Sequence, residues 1–265
     1  MHAARRSLEL LHGVVVVCLS VRAFFFLPVH VPTQSMAPTL QGHQIEDLSE
    51  DPPSPIHLSK IRALVDFLAR GERRWILTAK QPGVLKVLDP RPRPVLPGLT
   101  RQRLQFGSEI ITLWNAPPNL LETVELEDGD EFQAGETLLH ARSFSGDHLL
   151  VNRFTLNFSR PATGEIVVFQ NQTLDQLPQG VCFVKRIASL NRKPLRPGFP
   201  PPPSSGIGSN SKEVSASPGH VFLLGDNQEV SFDSRHWGEI PNEWILGRAS
   251  MIFWPSSDRS GKSPK

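Results

Sequence analysis

Proline is the residue that most restricts how this chain can fold. It fills 25 of 265 positions, roughly twice its usual share of about 5%. Proline has no amide hydrogen for a helix interior, whereas turns and edge strands accept it. Short β-rich runs, separated by proline, glycine and acidic turns, follow one another along most of the sequence. We therefore expect a mainly β fold rather than a helical bundle.

Charge and cysteine usage narrow the functional classes. Lysine plus arginine (28) exceed aspartate plus glutamate (26) by only two, so we expect no nucleic-acid partner. Cys18 lies in an apolar stretch and Cys182 in a strand-like run far along the chain. Two such cysteines provide neither a disulfide framework nor a cysteine-ligated metal site.

An apolar run near the N-terminus predicts a membrane anchor. Residues 8–27 are mostly apolar and follow a short arm, residues 1–7, that carries Arg5 and Arg6. About 20 apolar residues suffice for a helix to cross the bilayer, and arginines before the span favour a cytoplasmic arm. A cleaved signal peptide or a buried helix would share the pattern, but no small-x-small cleavage site closes the run before Pro28. We therefore expect a single pass through the cell (inner) membrane, with the rest of the chain outside the cytoplasm.

The sequence beyond the anchor divides into an insert and a second β-rich region. Residues 43–145 are predicted to contain an acidic, proline-rich linker (43–58), one short amphipathic helix (59–71) and the hairpins of an inserted β-rich subdomain. Residues 146–254 form the second region, in which 194–211 is predicted to be a proline-rich surface loop. Residues 255–265 are predicted to be a flexible tail. The predicted strands are 75–78, 84–88, 109–114, 121–126, 137–141, 148–154, 165–169, 181–187 and 220–224.

A hydroxyl-rich segment directly after the anchor offers a candidate nucleophile. Residues 28–42 contain Thr33, Ser35 and Thr39, a composition that is also typical of an ordinary juxtamembrane loop. A serine nucleophile needs a base. None of the nine histidines falls in a Gly-x-Ser-x-Gly elbow or an HExxH array, so histidine is not the favoured base.

Lys185 is the alternative base. It lies in the run 181–187, where strand alternation places it on the same face as Phe183 and Ile187. Burial among apolar groups lowers the pKa of a lysine, and the neutral amine can then take a proton from a serine hydroxyl. A lysine that blocks pairing at the edge of a sheet is the other interpretation of this position.

A polar cluster follows the apolar strand 220–224. Asp226, Ser231, Asp233 and Arg235 lie within a few residues of the strand end, where functional side chains concentrate. A solvated turn with a local aspartate–arginine pair would have the same composition.

Together and in this order, the three elements resemble the type I signal peptidases (leader peptidases, S26-like), membrane-anchored Ser-Lys proteases that remove signal peptides from exported proteins. The resemblance covers residues 20–42, 145–190 and 219–250. It implies an antiparallel β-sheet catalytic domain behind one transmembrane helix. The matching segments are Arg22–Phe26 with Val31–Leu40, Gly146-Asp147 with Val151–Phe154 and Gly164–Phe169, Phe183–Ile187, and Gly225–Arg235.

The resemblance also implies roles for individual residues. Ser35 attacks the scissile carbonyl and Lys185 accepts its proton. The Ser35 N–H and the Thr33 hydroxyl hold the oxyanion. The supporting residues are Ser231, which orients Lys185, and the pairs Arg186–Asp226 and Asp233–Arg235. The implied partners are exported preproteins cut after small residues and the lipid membrane, and neither a metal nor a cofactor is required.

Two departures from the family pattern leave alternatives open. Ala188-Ser189-Leu190 replaces the usual Gly-Leu-Pro-Gly stretch after Lys185, and the insert 43–145 is unusually long. An inactive membrane-anchored binding protein would share the fold without needing both Ser35 and Lys185. A soluble self-cleaving repressor-type protease would need a DNA-binding N-terminus in place of the apolar run.

Overall fold

The computed structural model describes residues 2–49, 60–96, 98–190, 216–256 and 258–264. Its helices are α1 (His2–Phe24), α2 (Lys60–Arg70), α3 (Leu120–Thr123) and α4 (Ser234–Trp237). Its strands are β1 (Phe26–His30), β2 (Gln44–Asp47), β3 (Glu72–Thr78), β4 (Gly83–Val87), β5 (Arg93–Leu96), β6 (Leu99–Phe106), β7 (Glu109–Trp114), β8 (Glu131–Phe132), β9 (Thr137–Phe144), β10 (His148–Asn152), β11 (Ile166–Gln170), β12 (Cys182–Leu190), β13 (His220–Leu224), β14 (Ile240–Pro241) and β15 (Ile245–Trp254). The predicted mainly β fold class is confirmed.

The chain forms two compact units. The first combines Met1–Gly42 with Gly146–Lys265, and the second is His43–Ser145. Most of the predicted strands lie within one or two residues of observed ones, and 109–114 and 220–224 have the observed bounds. The predicted surface loop 194–211, Ser59 and the later part of the predicted linker lie outside the described residues.

One antiparallel sheet of seven strands dominates the first unit, in the order β1-β10-β15-β11-β12-β13-β14. Apolar clusters cover both faces of this sheet at β11. Val168 belongs to one cluster, and its neighbours Val167 and Phe169, which point to the opposite face, belong to another. β12 carries Lys185 and lies between β11 and β13. The interpretation of Lys185 as an edge-blocking lysine is therefore wrong, since its strand has a neighbour on each side.

Helix α1 leads into the edge of this sheet. Arg5–Phe24 has a mean hydropathy of 1.7, and it is long and apolar enough to cross a membrane. The predicted anchor extended to Leu27, but the helix ends at Phe24 and β1 begins at Phe26. The apolar run continues past the helix because β1 pairs with β10. Pro28 fits in β1 because an edge strand needs fewer amide donors.

The second unit has its own sheets and core. β2-β9-β3 form one sheet, and β5-β6-β4-β8 form another in which β7 also pairs with β6. Trp75, Leu104 and Leu139 are among the residues that fill the core between these strands. α2 confirms the predicted amphipathic helix, and Gly71 ends it with a positive φ of 67°.

Two predictions in this unit are wrong. The run 121–126 was expected to be a strand, yet Leu120–Thr123 form the short helix α3. Short buried apolar runs do not distinguish the two structures, and here the Thr123 N–H donates to the Asn119 carbonyl in a helical turn. Residues 43–58 were expected to be a linker, but β2 pairs with β9 through its backbone, which its polar side chains do not reveal.

The prediction of a flexible tail at 255–265 is also wrong for the described residues. The Gly261 N–H donates to the Ile252 carbonyl (2.8 Å), and the Ile252 N–H donates to the Lys262 carbonyl (3.2 Å). Arg259 forms an ion pair with Asp147. Backbone pairing with the end of β15 therefore orders this segment, and composition alone does not indicate such pairing.

Candidate active site

Ser35 and Lys185 meet in the first unit although 150 positions separate them in sequence. The Lys185 Nζ lies 2.8 Å from the Ser35 Oγ and 3.1 Å from the Ser231 Oγ, in both cases as hydrogen-bond donor. All three side chains are buried, at 9% exposure or less. The same short distance allows the Ser35 hydroxyl to donate to a neutral lysine amine, which is the geometry that a general base requires.

The surroundings of Lys185 favour its neutral form. Burial lowers the pKa of Lys185 to about 8, and the positive charge of Arg235 acts in the same direction. The negative charges of Asp233 and Asp226 oppose this shift without reversing it. The physical cause is the loss of hydration, because a buried ammonium gives up more solvation than a buried amine.

A hydrogen-bonded loop, residues 225–238, places Ser231 beside Lys185. Asp233 is the centre of this loop, since its carboxylate accepts from the Gly225 N–H (3.0 Å) and from the Arg235 guanidinium (2.8 and 2.9 Å). Burial alone would raise the pKa of Asp233, but hydrogen bonds from Arg235, the Gly225 N–H and Ser231 hold it below its ordinary value. The ionised Asp233 therefore keeps the loop closed around the lysine.

A second ion pair joins this loop to β12. The Arg186 guanidinium donates to both carboxylate oxygens of Asp226 (2.7 and 2.6 Å) and to the Gly164 carbonyl (2.7 Å). Arg186 directly follows Lys185 in β12, so this bidentate pair fixes the strand against the loop. Fork-like pairs of this kind add geometric specificity as well as energy.

The segment that carries Ser35 is also held in place. Gln34–Met36 form one 3-10 turn, and the Asn227 N–H donates to the Ser35 carbonyl (3.1 Å). The Thr33 hydroxyl lies 3.3 Å from the Ser35 Oγ. Thr33 itself is exposed, so it borders the buried Ser35 at the surface of the protein.

Two glycines allow these segments to approach each other closely. A Cβ on Gly225 would lie closer than 3.0 Å to the Ser231 Oγ and to the Ser35 carbonyl oxygen. A Cβ on Gly42 would lie closer than 3.0 Å to the Thr33 backbone. Sequence reasoning gave neither glycine a role, although a glycine at the junction of a strand and a polar loop is a recognised sign of close backbone approach.

The structure brings together the eight residues to which the family resemblance assigns a role. Ser35, Lys185 and Ser231 are in direct contact, and Thr33 adjoins Ser35. The four charged residues form the two predicted pairs, Arg186–Asp226 and Asp233–Arg235. Within the described residues, no group of three or more histidine, cysteine, aspartate or glutamate side chains is arranged to hold a metal ion.

Comparison with known proteins points to one family. A family described as signal peptidase, peptidase S26, matches residues 203–254. The probable signal peptidase I-1 of Synechocystis sp. is 33% identical over 130 residues, which are 42% of this chain and 64% of that protein. The signal peptidase I of Leptolyngbya laminosa is 32% identical over 131 residues, or 41% of this chain and 61% of that protein.

A relative from a eukaryotic organelle is similar as well. The mitochondrial ATP-independent inner membrane protease subunit 1a of Arabidopsis thaliana is 31% identical over 121 residues, which are 46% of this chain and 67% of that protein. The matches to the two cyanobacterial proteins span about three fifths of their length.

Proposed function

Since this chain belongs to the S26 family of signal peptidases, we propose that it is a membrane-anchored serine endopeptidase that removes signal peptides from exported preproteins. One observation carries the proposal: the buried Lys185 amine lies 2.8 Å from the Ser35 hydroxyl. This is the contact that a Ser-Lys dyad needs for nucleophilic attack. The hydrogen bonds from Arg186 to Asp226 and from Arg235 to Asp233 supply the rigidity that such a site requires.

The proposed reaction proceeds in two steps. The neutral Lys185 amine takes the proton of the Ser35 hydroxyl while the oxygen attacks the scissile carbonyl carbon, and the lysine then donates a proton to the leaving amine. Water hydrolyses the acyl-enzyme with the same lysine as base. Ser231, 3.1 Å from the lysine nitrogen, orients the amine toward Ser35.

The developing oxyanion needs donors of its own. We assign this role to the Ser35 N–H and to the Thr33 hydroxyl, which is 3.3 Å from the Ser35 Oγ in the free protein. Rotation about the Thr33 side chain redirects this hydroxyl from the serine oxygen to the substrate oxygen when the tetrahedral intermediate forms. Donors held this close to the reacting atoms can stabilise charge that exists only in the transition state.

The proposed substrate is an extended segment with small side chains. A preprotein would pair with strand edges near Ser35 through its main chain, and shallow pockets would accept small residues one and three positions before the cut. We propose that α1 spans the cell membrane once, with Arg5 and Arg6 on the cytoplasmic side and the catalytic unit on the other side. The scissile bond would then be cut as it emerges beside the membrane.

The pH dependence of preprotein cleavage tests the proposed function. The purified full chain in lipid vesicles should cleave a preprotein after a small residue, and kcat/KM should rise with pH to a plateau above about pH 8, the pKa of Lys185. Below that pH the protonated amine cannot accept a proton, so kcat/KM should fall about tenfold per pH unit. Absence of cleavage at every pH, or a flat profile across this range, would contradict the proposal.

Substitution of Thr33 tests the oxyanion assignment. Thr33→Val keeps the branched shape but removes the hydroxyl, and loss of one oxyanion donor costs roughly 10²- to 10³-fold in kcat elsewhere. Because the bond forms only in the transition state, kcat should fall with little change in KM. Thr33→Ser should retain much of the rate. A Thr33→Val protein whose whole defect lies in KM would place Thr33 in substrate packing instead.

A further inference from the structure

Asp147 is hydrogen-bonded to both ends of the segment that carries Ser35. Its backbone carbonyl accepts from the Val31 N–H (2.8 Å), and its backbone N–H donates to the Gln41 carbonyl (2.8 Å). Its carboxylate accepts from the Gln41 N–H as well (2.8 Å). One residue thus holds positions 31 and 41, and Ser35 lies in the loop between them. We call residues 31–41 the nucleophile loop.

The C-terminal segment, residues 258–264, in turn holds the side chain of Asp147. The Arg259 guanidinium donates to both carboxylate oxygens of Asp147 (2.5 and 3.0 Å). Asp147 is only 1% exposed and Arg259 is 35% exposed, so this is a buried carboxylate whose charge is balanced by an arginine from the surface. Removing one partner of a buried ion pair leaves the other charge uncompensated, which is strongly destabilising.

We propose that Arg259 is a positioning residue for the reaction, which acts through Asp147 on the geometry of the nucleophile loop. The inference rests on the proposed function and deepens it, because it assigns to the C-terminal segment a role in setting the Ser35–Lys185 distance. The apolar side chains of the loop, Met36 and Leu40, are fully buried and anchor its middle. Hydrogen bonds to Asp147 hold the two ends of the nucleophile loop. The ion pair with Arg259 in turn holds the carboxylate of Asp147.

A matched ion pair in the second unit provides the control. Arg103 is 36% exposed and pairs at 2.7 Å with Asp89, which is fully buried and also pairs with Arg93 at 2.7 Å. Arg103→Ala therefore removes a guanidinium of the same exposure from a carboxylate of the same burial, at a place that holds no member of the proposed dyad. Asp89 keeps its pair with Arg93 after this substitution, so the control concerns turnover and not stability. If Arg259 were merely structural, Arg259→Ala would lower stability without lowering turnover.

Cleavage kinetics of the full chain are the first measurement. Arg259→Ala should lower kcat by about 10- to 100-fold, the range expected for small displacements of reacting groups, with little change in KM, whereas Arg103→Ala should leave kcat unchanged. Arg259→Lys should recover part of the rate, since it restores one charge but not the fork. Because Arg259 acts through Asp147, the double variant Asp147→Asn/Arg259→Ala should be no slower than Asp147→Asn alone.

Amide hydrogen exchange provides a second measurement that does not depend on activity. The Val31 and Gln41 amide hydrogens should exchange faster in Arg259→Ala than in the wild-type protein, and not faster in Arg103→Ala. Unchanged exchange at both amides would overturn the inference whether or not the protein is a peptidase. Defects that multiply in the double variant would also overturn it, because they would show that the two residues act independently. A wild-type protein that cleaves nothing would contradict the proposed function alone.

Discussion

Ser35→Ala and Lys185→Met should each abolish peptide cleavage, by at least roughly 10⁴-fold, as losses of nucleophile or base do in known serine peptidases. Alanine removes the attacking oxygen. Methionine keeps most of the volume of the lysine stem but has no group that can accept the proton. Both side chains are buried and in direct contact, so either substitution removes the contact that would activate the serine.

The measurement is turnover of a membrane-presented preprotein by the full chain, with thermal unfolding and membrane association recorded in parallel. Both variants should stay folded and membrane-bound, since Lys185→Met exchanges a costly buried amine for an apolar group. Lys80→Met is the control, because Lys80 is 76% exposed on its side chain and lies in the second unit. Wild-type turnover by Ser35→Ala or by Lys185→Met would rule out the dyad and favour a membrane-anchored binding protein.

Gly225→Ala should inactivate the protein almost as completely. The added methyl group would lie within 3.0 Å of both the Ser231 Oγ and the Ser35 carbonyl oxygen, so either the loop 225–238 or the nucleophile loop must move. Displacing the loop also strains the bond from the Gly225 N–H to Asp233. Since a shift of about 1 Å can cost about 10²-fold in rate, we expect at least that loss in kcat.

Gly83→Ala serves as the matched control for this substitution. The atoms nearest to a Cβ on Gly83 would belong to the Phe106 side chain, at 3.2 Å and beyond, in the core of the second unit. It should therefore lower the unfolding temperature without lowering kcat. If Gly225→Ala instead retained wild-type kcat, the loop 225–238 would be too mobile to orient Ser231, and the proposed role of Ser231 would lose its support.

Local patterns were sufficient to predict eight of the strands and the buried lysine, but they missed the long strands β6 and β15. The alternation around Lys185 placed a lysine among apolar side chains, and the structure buries that lysine in the interior of the sheet. The amphipathic period of α2 was equally clear. Such patterns are visible in a short stretch of sequence because side chains return to the same face every two residues in a strand and about every 3.6 residues in a helix.

Long-range pairing explains most of what sequence reasoning missed. β2 looked like a linker because its exposed side chains are polar, and only its backbone bonds to β9 make it a strand. The contact between Arg259 and Asp147 spans 112 positions, a distance over which one sequence offers no pattern. The close approach of Gly225 to Ser35 is likewise a property of two chain segments in space, and neither segment shows it alone.

The separation of the dyad along the chain has a consequence for biosynthesis. Ser35 is 150 positions before Lys185, and the loop that orients the lysine ends later still, at Gly238. At a synthesis rate of about 5–20 residues per second, roughly 10–40 s pass between translation of Ser35 and translation of that loop. During this interval the nascent chain would carry the proposed nucleophile without its proposed base, so it could not yet cleave other newly made proteins. The order of the segments would therefore delay the proposed proteolysis until the loop 225–238 has been made.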